Sequence, residues 1–505
     1  PNKNNMNIFK KGILIMTSIA MTVACTKESI DDKVNGLYEK MSQEERIAQL
    51  QGIYMTQFFD ENEKLDTALC RKLIPNGIGH FSQFALNTRK TADELRDMVA
   101  QMQDWLINNT PSGIPALLHE EVLSGIDGYD ATVYPQQIGL ACSFNPALAE
   151  VKTFQTATAL RKMGGFQTLS PMVDVVKNPS FNRLEESYGE DAYLSAAMGV
   201  AFVKGLQHGN LREGVAACTK HFLGYGGGGD APEKELMEEI LLPHEAIIRT
   251  AGSKTVMTGY HAVDGTKCVA NKRIQEDILR KYLRYDGIMV SDYGSIEQID
   301  DSLNDVQRAA AAINAGNDVD FPEGNSYKHL QEAIDQGLVS QQTFETAVKR
   351  VLRHKAELGL LDSNPKLYES GHITLDTPEE RQTAYELATQ SVVLLKNDGV
   401  LPLCASDDKL KVALVGPNAN SMWAMLGDYT YQAMRFFWKQ SIEDDQHPKI
   451  VNLKMGMEAQ KPQGVTLSYS RGCDWTEIVE TIVDQSGDPR TAYLKDIQNR
   501  IIDSG

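Results

Sequence analysis

The sequence is short of basic residues, of paired cysteines and of long apolar runs, and each shortage removes a class of protein. Its 50 lysines and arginines stand against 68 aspartates and glutamates, for a formal net charge of −18. Such a chain repels phosphate backbones, so nucleic-acid binding is set aside. The six cysteines after Cys25 lie at scattered positions without a CxxC spacing, which indicates neither a zinc site nor a disulfide framework.

The N-terminal segment has the layout of a secretory signal peptide. Two lysines at positions 10 and 11 precede an apolar run, residues 12–24, which ends in small residues before Cys25 and is too short to span a bilayer. The letters TVAC ending at Cys25 are similar to a bacterial lipoprotein cleavage box, with threonine where leucine is usual. A plain cleaved signal with an incidental cysteine is the alternative. We predict a signal peptide over residues 1–25, lipidation of Cys25, and an exported periplasmic or outer-membrane lipoprotein of a bacterium, attached to a membrane only through its lipid.

The region from residue 26 to residue 361 has the pattern of an α/β barrel. The chain has 505 residues, more than one ordinary domain. In this region short apolar runs alternate with longer amphipathic stretches, as in strand–helix units around a parallel sheet. The predicted strands are residues 77–81, 114–118, 166–176, 215–222, 255–260, 287–290 and 319–321. Seven or eight such units predict a (β/α)8-type, TIM-like barrel.

The pattern changes after residue 361. Residues 362–390 combine a linker rich in Asp, Ser, Asn, Pro and Thr with an amphipathic helix. Strand and turn signals then recur at residues 392–399, 412–417 and 465–469. So few strands would leave a small sheet with unpaired edges. We therefore expect residues 391–505 to form an α/β sandwich domain that is incomplete in this chain.

Polar residues follow the predicted strands at their C-terminal ends. In a parallel barrel these ends lie on one face, where active sites are built from the loops that follow the strands. The most informative of these residues are Glu121, Lys220, His221, Tyr260 and Asp292. Their concentration at one end of the strands predicts a functional site at that face.

Two of the candidates have structural alternatives. Asp292 directly follows the strand at 287–290, and a carboxylate there can attack an electrophilic carbon or act as a base; alternatively it caps a helix that begins near Ser295. Arg183 and Glu186 lie three residues apart. They could converge on a substrate hydroxyl or pair with each other on a helix face.

The sequence has no strong motif for binding a nucleotide or a metal. The glycine-rich stretch at 224–229 lacks the lysine and hydroxyl ending of a phosphate-binding loop. No cluster of histidine and carboxylate residues has metal-ligand spacing. We expect neither a metal nor an organic cofactor.

Five motifs, found in this order along the chain, resemble glycoside hydrolase family 3. They are LSPMVD at 169–174, RLEESYGEDAYL at 183–194, KHFLGYG at 220–226, VSDY at 290–293 and VVLLKNDGVLPL at 392–403. The family consists mainly of retaining exo-β-glycosidases with a barrel-type first domain and an α/β sandwich as the second. The resemblance therefore implies the same two-domain organisation as the strand and linker patterns.

The resemblance also implies a role for each matching residue. Asp292 matches the catalytic nucleophile, which forms a covalent glycosyl-enzyme. Residues that match contacts to the terminal sugar are Glu121, Arg183, Lys220 and His221, with Tyr260 beside the nucleophile. Glu186 matches the support of the arginine and the lysine, and Tyr293 is a second supporting residue. A further carboxyl group, about 5 to 5.5 Å from the nucleophile, protonates the leaving oxygen in retaining hydrolysis; in the family's β-glucosidases it is a glutamate that we expect beyond Gly505, so none is assigned.

The sequence departs from the family pattern at a few positions. His261 stands where many members have Asn or Ser, and Ser124 where histidine is frequent. The N-acetylglucosaminidase branch uses an Asp-His pair in the loop after Lys-His, whereas the loop at 223–235 holds Asp230 but no histidine in that arrangement. That branch is disfavoured.

The resemblance thus implies a retaining exo-β-glycosidase. It would hydrolyse terminal non-reducing β-D-glucosyl or β-D-xylosyl residues of oligosaccharides or aryl β-glycosides. A surface carbohydrate-binding lipoprotein, with a glycosidase-like pocket but no hydrolysis, is the alternative. A neutral sugar needs no steering field, which is compatible with the negative charge of the chain.

Overall fold

The structure is a computed structural model in which residues 29–403, 410–437 and 450–473 are described. The predicted signal peptide and Cys25 lie outside the described residues. Among the helices that are described, none is long and apolar enough to cross a membrane.

The strands of the first region are short and lie close to the predicted positions. They are β1 (Gly52–Tyr54), β2 (His80–Ser82), β3 (Leu117–Glu120), β4 (Gln167–Thr168), β5 (Cys218–Phe222), β6 (Thr255–Thr258) and β9 (Ile288–Val290); β7 (Ala262–Val263) and β8 (Thr266–Lys267) form a small antiparallel hairpin. β1 to β4 pair in that order, as do β5, β6 and β9, and every pair in these two sheets is parallel.

Single parallel bridges close the two sheets into a ring. Gln167 of β4 pairs with Ala216, next to β5, and Val290 of β9 pairs with Val319. Asp320 in turn pairs with Gln51, next to β1. The ring therefore has eight parallel segments, the eighth at residues 319–320, and the predicted TIM-like barrel is confirmed. The sequence analysis missed β1.

Helices surround the barrel and continue into the second region. They are α1 (Ile30–Lys40), α2 (Gln43–Ala48), α3 (Thr67–Leu73), α4 (Ala92–Asn109), α5 (Gln137–Ser143), α6 (Pro146–Met163), α7 (Ala192–Gln207), α8 (Glu233–Glu235), α9 (Leu242–Thr250), α10 (Asp305–Ala315), α11 (Leu330–Asp335), α12 (Gln341–Glu357), α13 (Pro378–Gln390), α14 (Tyr431–Phe437) and α15 (Leu453–Gln460). Two segments, Leu236–Ile240 and Arg273–Tyr282, are π-helical. Thr91 and Asn304 begin α4 and α10 with capping boxes, which satisfy the free N–H groups at the helix start.

The second region is an extension of the barrel with a small sheet of its own. α13 lies against α5 and α6, where Leu387 is fully buried in the barrel's core and Asn145 donates to Gln390 over 2.9 Å. β10 (Lys411–Val415) and β11 (Thr466–Ser470) form a parallel pair, as predicted for two of the three strand signals.

The third of these signals, a strand at residues 392–399, is wrong. Residues 392–395 are irregular, and their side chains are between 52% and 92% exposed. A strand needs a neighbour for its N–H and C=O groups, and no strand of the described residues lies beside this one. The predicted turn does form. The side-chain amide of Asn397 closes it, since its Nδ2 donates to the backbone carbonyl of Leu401 and its Oδ1 accepts from the backbone N–H of Leu401.

Candidate active site

The structure brings the predicted site residues together at one end of the barrel. Glu121 follows β3 directly, Lys220 and His221 lie in β5, and Tyr260 and Asp292 follow β6 and β9 by two residues each. Glu186 ends a short 3₁₀ turn, Leu184–Glu186, in the loop after β4, and Arg183 directly precedes that turn. In a closed parallel barrel all these positions lie at the C-terminal mouth.

Asp292 is held by one carboxylate oxygen and free at the other. Its Oδ1 accepts a 2.8 Å hydrogen bond from the backbone N–H of Tyr293, whereas Oδ2 has no hydrogen-bond partner among the described residues and lies 3.4 Å from His221 Nε2. Burial raises the pKa of Asp292, and the nearby cations Arg183 and Lys220 oppose that rise. The residues that follow form turns and no helix at Ser295, so Asp292 is not a helix cap.

Glu121 and Lys220 form a buried ion pair. Lys220 Nζ lies 2.6 Å from Glu121 Oε1, and each side chain is only 2% exposed. Ser170 Oγ donates to Glu121 Oε2 over 3.2 Å. Burial raises the pKa of Glu121, and the lysine opposes the rise. The pair offers both an acceptor and a donor to a hydroxylated ligand.

Arg183 and Glu186 pair with each other, as one of the two alternatives predicted. Two hydrogen bonds, of 2.9 and 2.6 Å, join the guanidinium to the two carboxylate oxygens. Arg183 still reaches the pocket, because its Nη1 lies 3.3 Å from His221 Nε2. Among the described residues no hydrogen bond or ion pair joins Glu186 to Lys220; the lysine pairs with Glu121, which follows β3, and the predicted support of Lys220 by Glu186 stays a prediction.

His221 is oriented by Asp174, a residue that the sequence analysis did not assign. Asp174 Oδ2 lies 2.8 Å from His221 Nδ1 and accepts from the backbone N–H of His221 over 3.2 Å. Burial raises the pKa of Asp174 to about 7 and lowers the pKa of His221 well below its usual value. Burial thus favours the neutral form of the imidazole, and its Nε2 faces Arg183 and Asp292. The signal that could have identified Asp174 was its place at the end of the LSPMVD motif.

Tyrosines complete the pocket. Tyr260 donates to the backbone carbonyl of Tyr293 over 2.8 Å, which ties the loop after β6 to the residue that follows Asp292. Tyr429, from the segment before α14, was missed; its ring centre lies 4.8 Å from Lys220 Nζ, and its hydroxyl lies 3.4 Å from Arg183 Nη2. No local pattern could have identified it, because only the fold brings residue 429 to the barrel mouth.

The pocket is lined by carboxylates and by the imidazole of His221. Within residues 29–403, 410–437 and 450–473, no group of three or more His, Cys, Asp or Glu side chains could hold a metal ion. The carboxylates Glu121 and Glu186 are each paired with a cation. The arrangement therefore suits nucleophilic attack by Asp292 on a ligand that is held by polar contacts.

Comparison with known proteins gives one consistent result. Residues 42–354 match the model of the glycosyl hydrolase family 3 N-terminal domain. A beta-xylosidase of Formosa agariphila is 33% identical over 410 residues, which cover 75% of this chain and 56% of that protein. A periplasmic beta-glucosidase of Salmonella typhimurium is 31% identical over 427 residues, 80% of this chain and 52% of that protein.

Solved structures agree. The beta-glucosidase from Listeria innocua in complex with glucose is similar with a TM-score of 0.73 at 27% identity, over 93% of this chain and 63% of that one. The chain spans about half the length of the curated relatives that it matches.

Proposed function

The chain belongs to glycosyl hydrolase family 3, and from that premise we propose that its barrel is the catalytic domain of a retaining exo-β-glycosidase. The substrate is an oligosaccharide or aryl β-glycoside with a terminal non-reducing β-D-glucosyl or β-D-xylosyl residue. The observation that carries the proposal is Asp292, a buried carboxylate with one oxygen fixed and the other unpaired among the described residues. The relatives named above are hydrolases, which gives no support to the alternative of a binding protein without hydrolysis.

The charges around Asp292 suit attack on a neutral sugar. Two cations, Arg183 and Lys220, are matched by the carboxylates of Glu186 and Glu121, so apart from Asp174, which lies against the His221 ring, the unmatched carboxylate among these residues is that of Asp292. That carboxylate can stabilise the oxocarbenium-like transition state and then form the bond to the anomeric carbon. The ion-paired groups can meanwhile hold sugar hydroxyls by donating and accepting hydrogen bonds.

Covalent labelling of Asp292 tests the proposal directly. The 505-residue chain is incubated with dinitrophenyl 2-deoxy-2-fluoro-β-glucoside and, separately, with the corresponding xyloside. The activated leaving group needs little protonation, and the fluorine slows breakdown of the glycosyl-enzyme, so the nucleophile stays labelled. Peptide mapping is expected to place the label on Asp292, and the faster reagent identifies the preferred sugar.

The labelling experiment has a control variant and an outcome that would contradict the proposal. Asp292→Asn is the matched control, since it keeps the shape of the side chain and is expected to take no label. A chain that is folded by circular dichroism, yet takes no label from either sugar, would contradict the proposal.

We also propose that the protein is exported and lipidated at Cys25. The proposal is supported by the lysines, the apolar run and the cysteine of residues 1–25. Expression in a bacterium supplied with labelled palmitate is expected to give a labelled protein. The Cys25→Ser variant is expected to take up no label. Equal labelling of the two forms would contradict lipidation at this residue.

A further inference from the structure

We propose that His119 is a positioning residue that acts through Tyr293 to fix the orientation of Asp292. The inference rests on the proposed function, because Asp292 is the group that would attack the sugar. His119 lies on β3 and is fully buried. Its Nε2 is 2.7 Å from the hydroxyl oxygen of Tyr293, 174 residues further along the chain.

Tyr293 is the connection between His119 and the carboxylate. Its backbone N–H donates to Asp292 Oδ1, and its backbone carbonyl accepts from the hydroxyl of Tyr260. Its side-chain hydroxyl meets His119. Residue Tyr293 is therefore attached to β3 through its side chain and to the loop after β6 through its carbonyl. A shift of the Tyr293 ring would move the N–H group that holds Asp292 Oδ1.

The contact between His119 and Tyr293 is a polar one in an aromatic environment. The buried ring of His119 and the half-buried ring of Tyr293 lie beside Phe321, at centroid distances of 4.3 Å and 6.3 Å from it. A buried imidazole loses its hydrogen bonds to water, and the bond to the phenol hydroxyl offsets part of that loss. An apolar residue at 119 would leave the Tyr293 hydroxyl without this partner.

His119 has the character of a positioning group and not of a proton carrier. Burial and the nearby Lys220 lower its pKa to about 3, so the imidazole is neutral over the working range of most glycosidases. The bond to Tyr293 therefore persists unchanged while Asp292 titrates among Arg183, Lys220 and His221.

His80 provides a matched control inside the same barrel. It lies on β2, is as fully buried as His119, and packs on the same Phe321 ring at a centroid distance of 5.2 Å. Neither of its ring nitrogens has a hydrogen-bond partner among the described residues. His80→Leu and His119→Leu thus remove the same side chain from the same aromatic environment, and only the second removes a link to Asp292.

The experiment measures how fast the dinitrophenyl 2-fluoro glycoside labels the 505-residue chain as a function of concentration and pH. For His119→Leu we expect the maximal labelling rate to fall by about 10- to 100-fold, the effect of a nucleophile displaced by less than an ångström or so, with the half-saturating concentration within about twofold. Weakening of the Tyr293 N–H bond, which stabilises the ionised carboxylate, is also expected to move the acid limb of the labelling rate to higher pH.

Three further variants separate positioning from general destabilisation. Tyr293→Phe removes only the hydroxyl and is expected to reproduce the rate loss and the shifted acid limb; it carries the test if His119→Leu does not fold. The double variant is expected to be no slower than the slower single variant, because both interrupt one connection. His119→Gln, whose amide can bond the hydroxyl, is expected to recover part of the rate. His80→Leu is expected to lower stability and leave rate and acid limb unchanged.

The outcomes distinguish this inference from the proposed function. Wild-type labelling rates and an unmoved acid limb in both His119→Leu and Tyr293→Phe would overturn the inference alone. An equal loss in His80→Leu would overturn it as well, since that residue has no link to Asp292. Absence of label on the wild-type chain with either sugar would overturn the proposed function, and the inference with it.

Discussion

The barrel and the region after residue 391 bury their apolar side chains to very different degrees. Leu118, Phe202 and Val290 in the barrel have no exposed surface, whereas Leu395 is 92% exposed. Along β10 and β11 the residues alternate between exposed and half-buried, and none is fully buried. A closed ring of strands covered by helices buries both sides of its sheet, while a pair of strands alone cannot. The buried core clusters therefore lie in the barrel and in the residues up to Leu387 that pack on it, and none of the described residues after 391 belongs to them.

The same contrast divides the active site. The barrel supplies Asp292, the ion pairs and the imidazole of His221, all of them buried except Arg183, whose side chain is 13% exposed. The second region adds Tyr429, which is only half-buried and lies over the two cations. We therefore assign the proposed chemistry and its supporting residues to the barrel, and the shaping of the rim of the pocket to the second region. Each of the following experiments tests that division.

Asp292→Asn gives the largest expected effect. The amide is a far weaker nucleophile than the carboxylate, so turnover of an activated aryl glycoside is expected to fall by about 10⁴-fold or more. Steady-state kinetics of the purified chain measure it. Asp320→Asn is the control: Asp320 is another buried barrel aspartate, it accepts two backbone N–H bonds through Oδ2 alone, and an amide oxygen can replace that role. Equal losses in the two variants would mean that the barrel, and not the nucleophile, had failed.

Lys152→Met tests the burial of a lysine in the barrel core through the pH dependence of the free energy of unfolding. Lys152 is fully buried, and burial lowers its pKa to about 7. Between pH 7 and about 10.5 the unfolded chain holds a proton that the folded chain has released, so the free energy of unfolding rises with pH, by up to about 5 kcal/mol. The variant is expected to lack this rise in urea titrations at pH 7 and pH 9.5.

The control for that titration lies on the surface. Lys234 has a side chain that is 82% exposed, and Lys234→Met is expected to keep the wild-type slope. Parallel pH dependences in wild type and Lys152→Met would show that the buried amine keeps its proton in the folded chain.

Much of the fold could be predicted from the sequence because a parallel barrel repeats one signal. Each buried strand is a short apolar run: the runs at 215–222 and 287–290 contain β5 and β9, and the run at 114–118 overlaps the start of β3. β1 was missed because its sequence, Gly-Ile-Tyr, is short and only partly apolar. The wrong strand at 392–399 shows the reverse limit: VVLL has strong strand propensity, yet propensity becomes structure only when a neighbouring strand pairs with it.

The site was predictable where its residues end strands and unpredictable where it depends on tertiary contact. Asp292 and Glu121 follow buried runs, so the topology alone places them at the barrel mouth. The partner of Lys220 could not be read from spacing, because Glu121 lies 99 residues away along the chain. The same holds for His119, whose bond to Tyr293 depends on the closure of the barrel.

Tyr429→Ala tests how much the second region contributes to the site. Loss of the ring beside Lys220 and Arg183 removes contact area and one weak polar contact, so KM is expected to rise about 10-fold while kcat changes little. Tyr385→Ala, a tyrosine of α13 that is 69% exposed, is the control and is expected to change neither. A loss of kcat as large as that of Asp292→Asn would break the division between a catalytic barrel and a rim.

Leu395→Ala gives the smallest expected effect and tests the difference in side-chain burial between the barrel and the region after residue 391. The side chain is 92% exposed, so its truncation is expected to change the free energy of unfolding by no more than about 0.5 kcal/mol. The same substitution at Leu118, which is fully buried on β3, is expected to cost about 2 to 5 kcal/mol, because it removes buried surface and leaves a cavity. Urea titrations of the two variants measure the pair. A cost at Leu395 near that at Leu118 would mean that the 392–395 segment is buried in solution. The difference in burial between the two regions would then be contradicted.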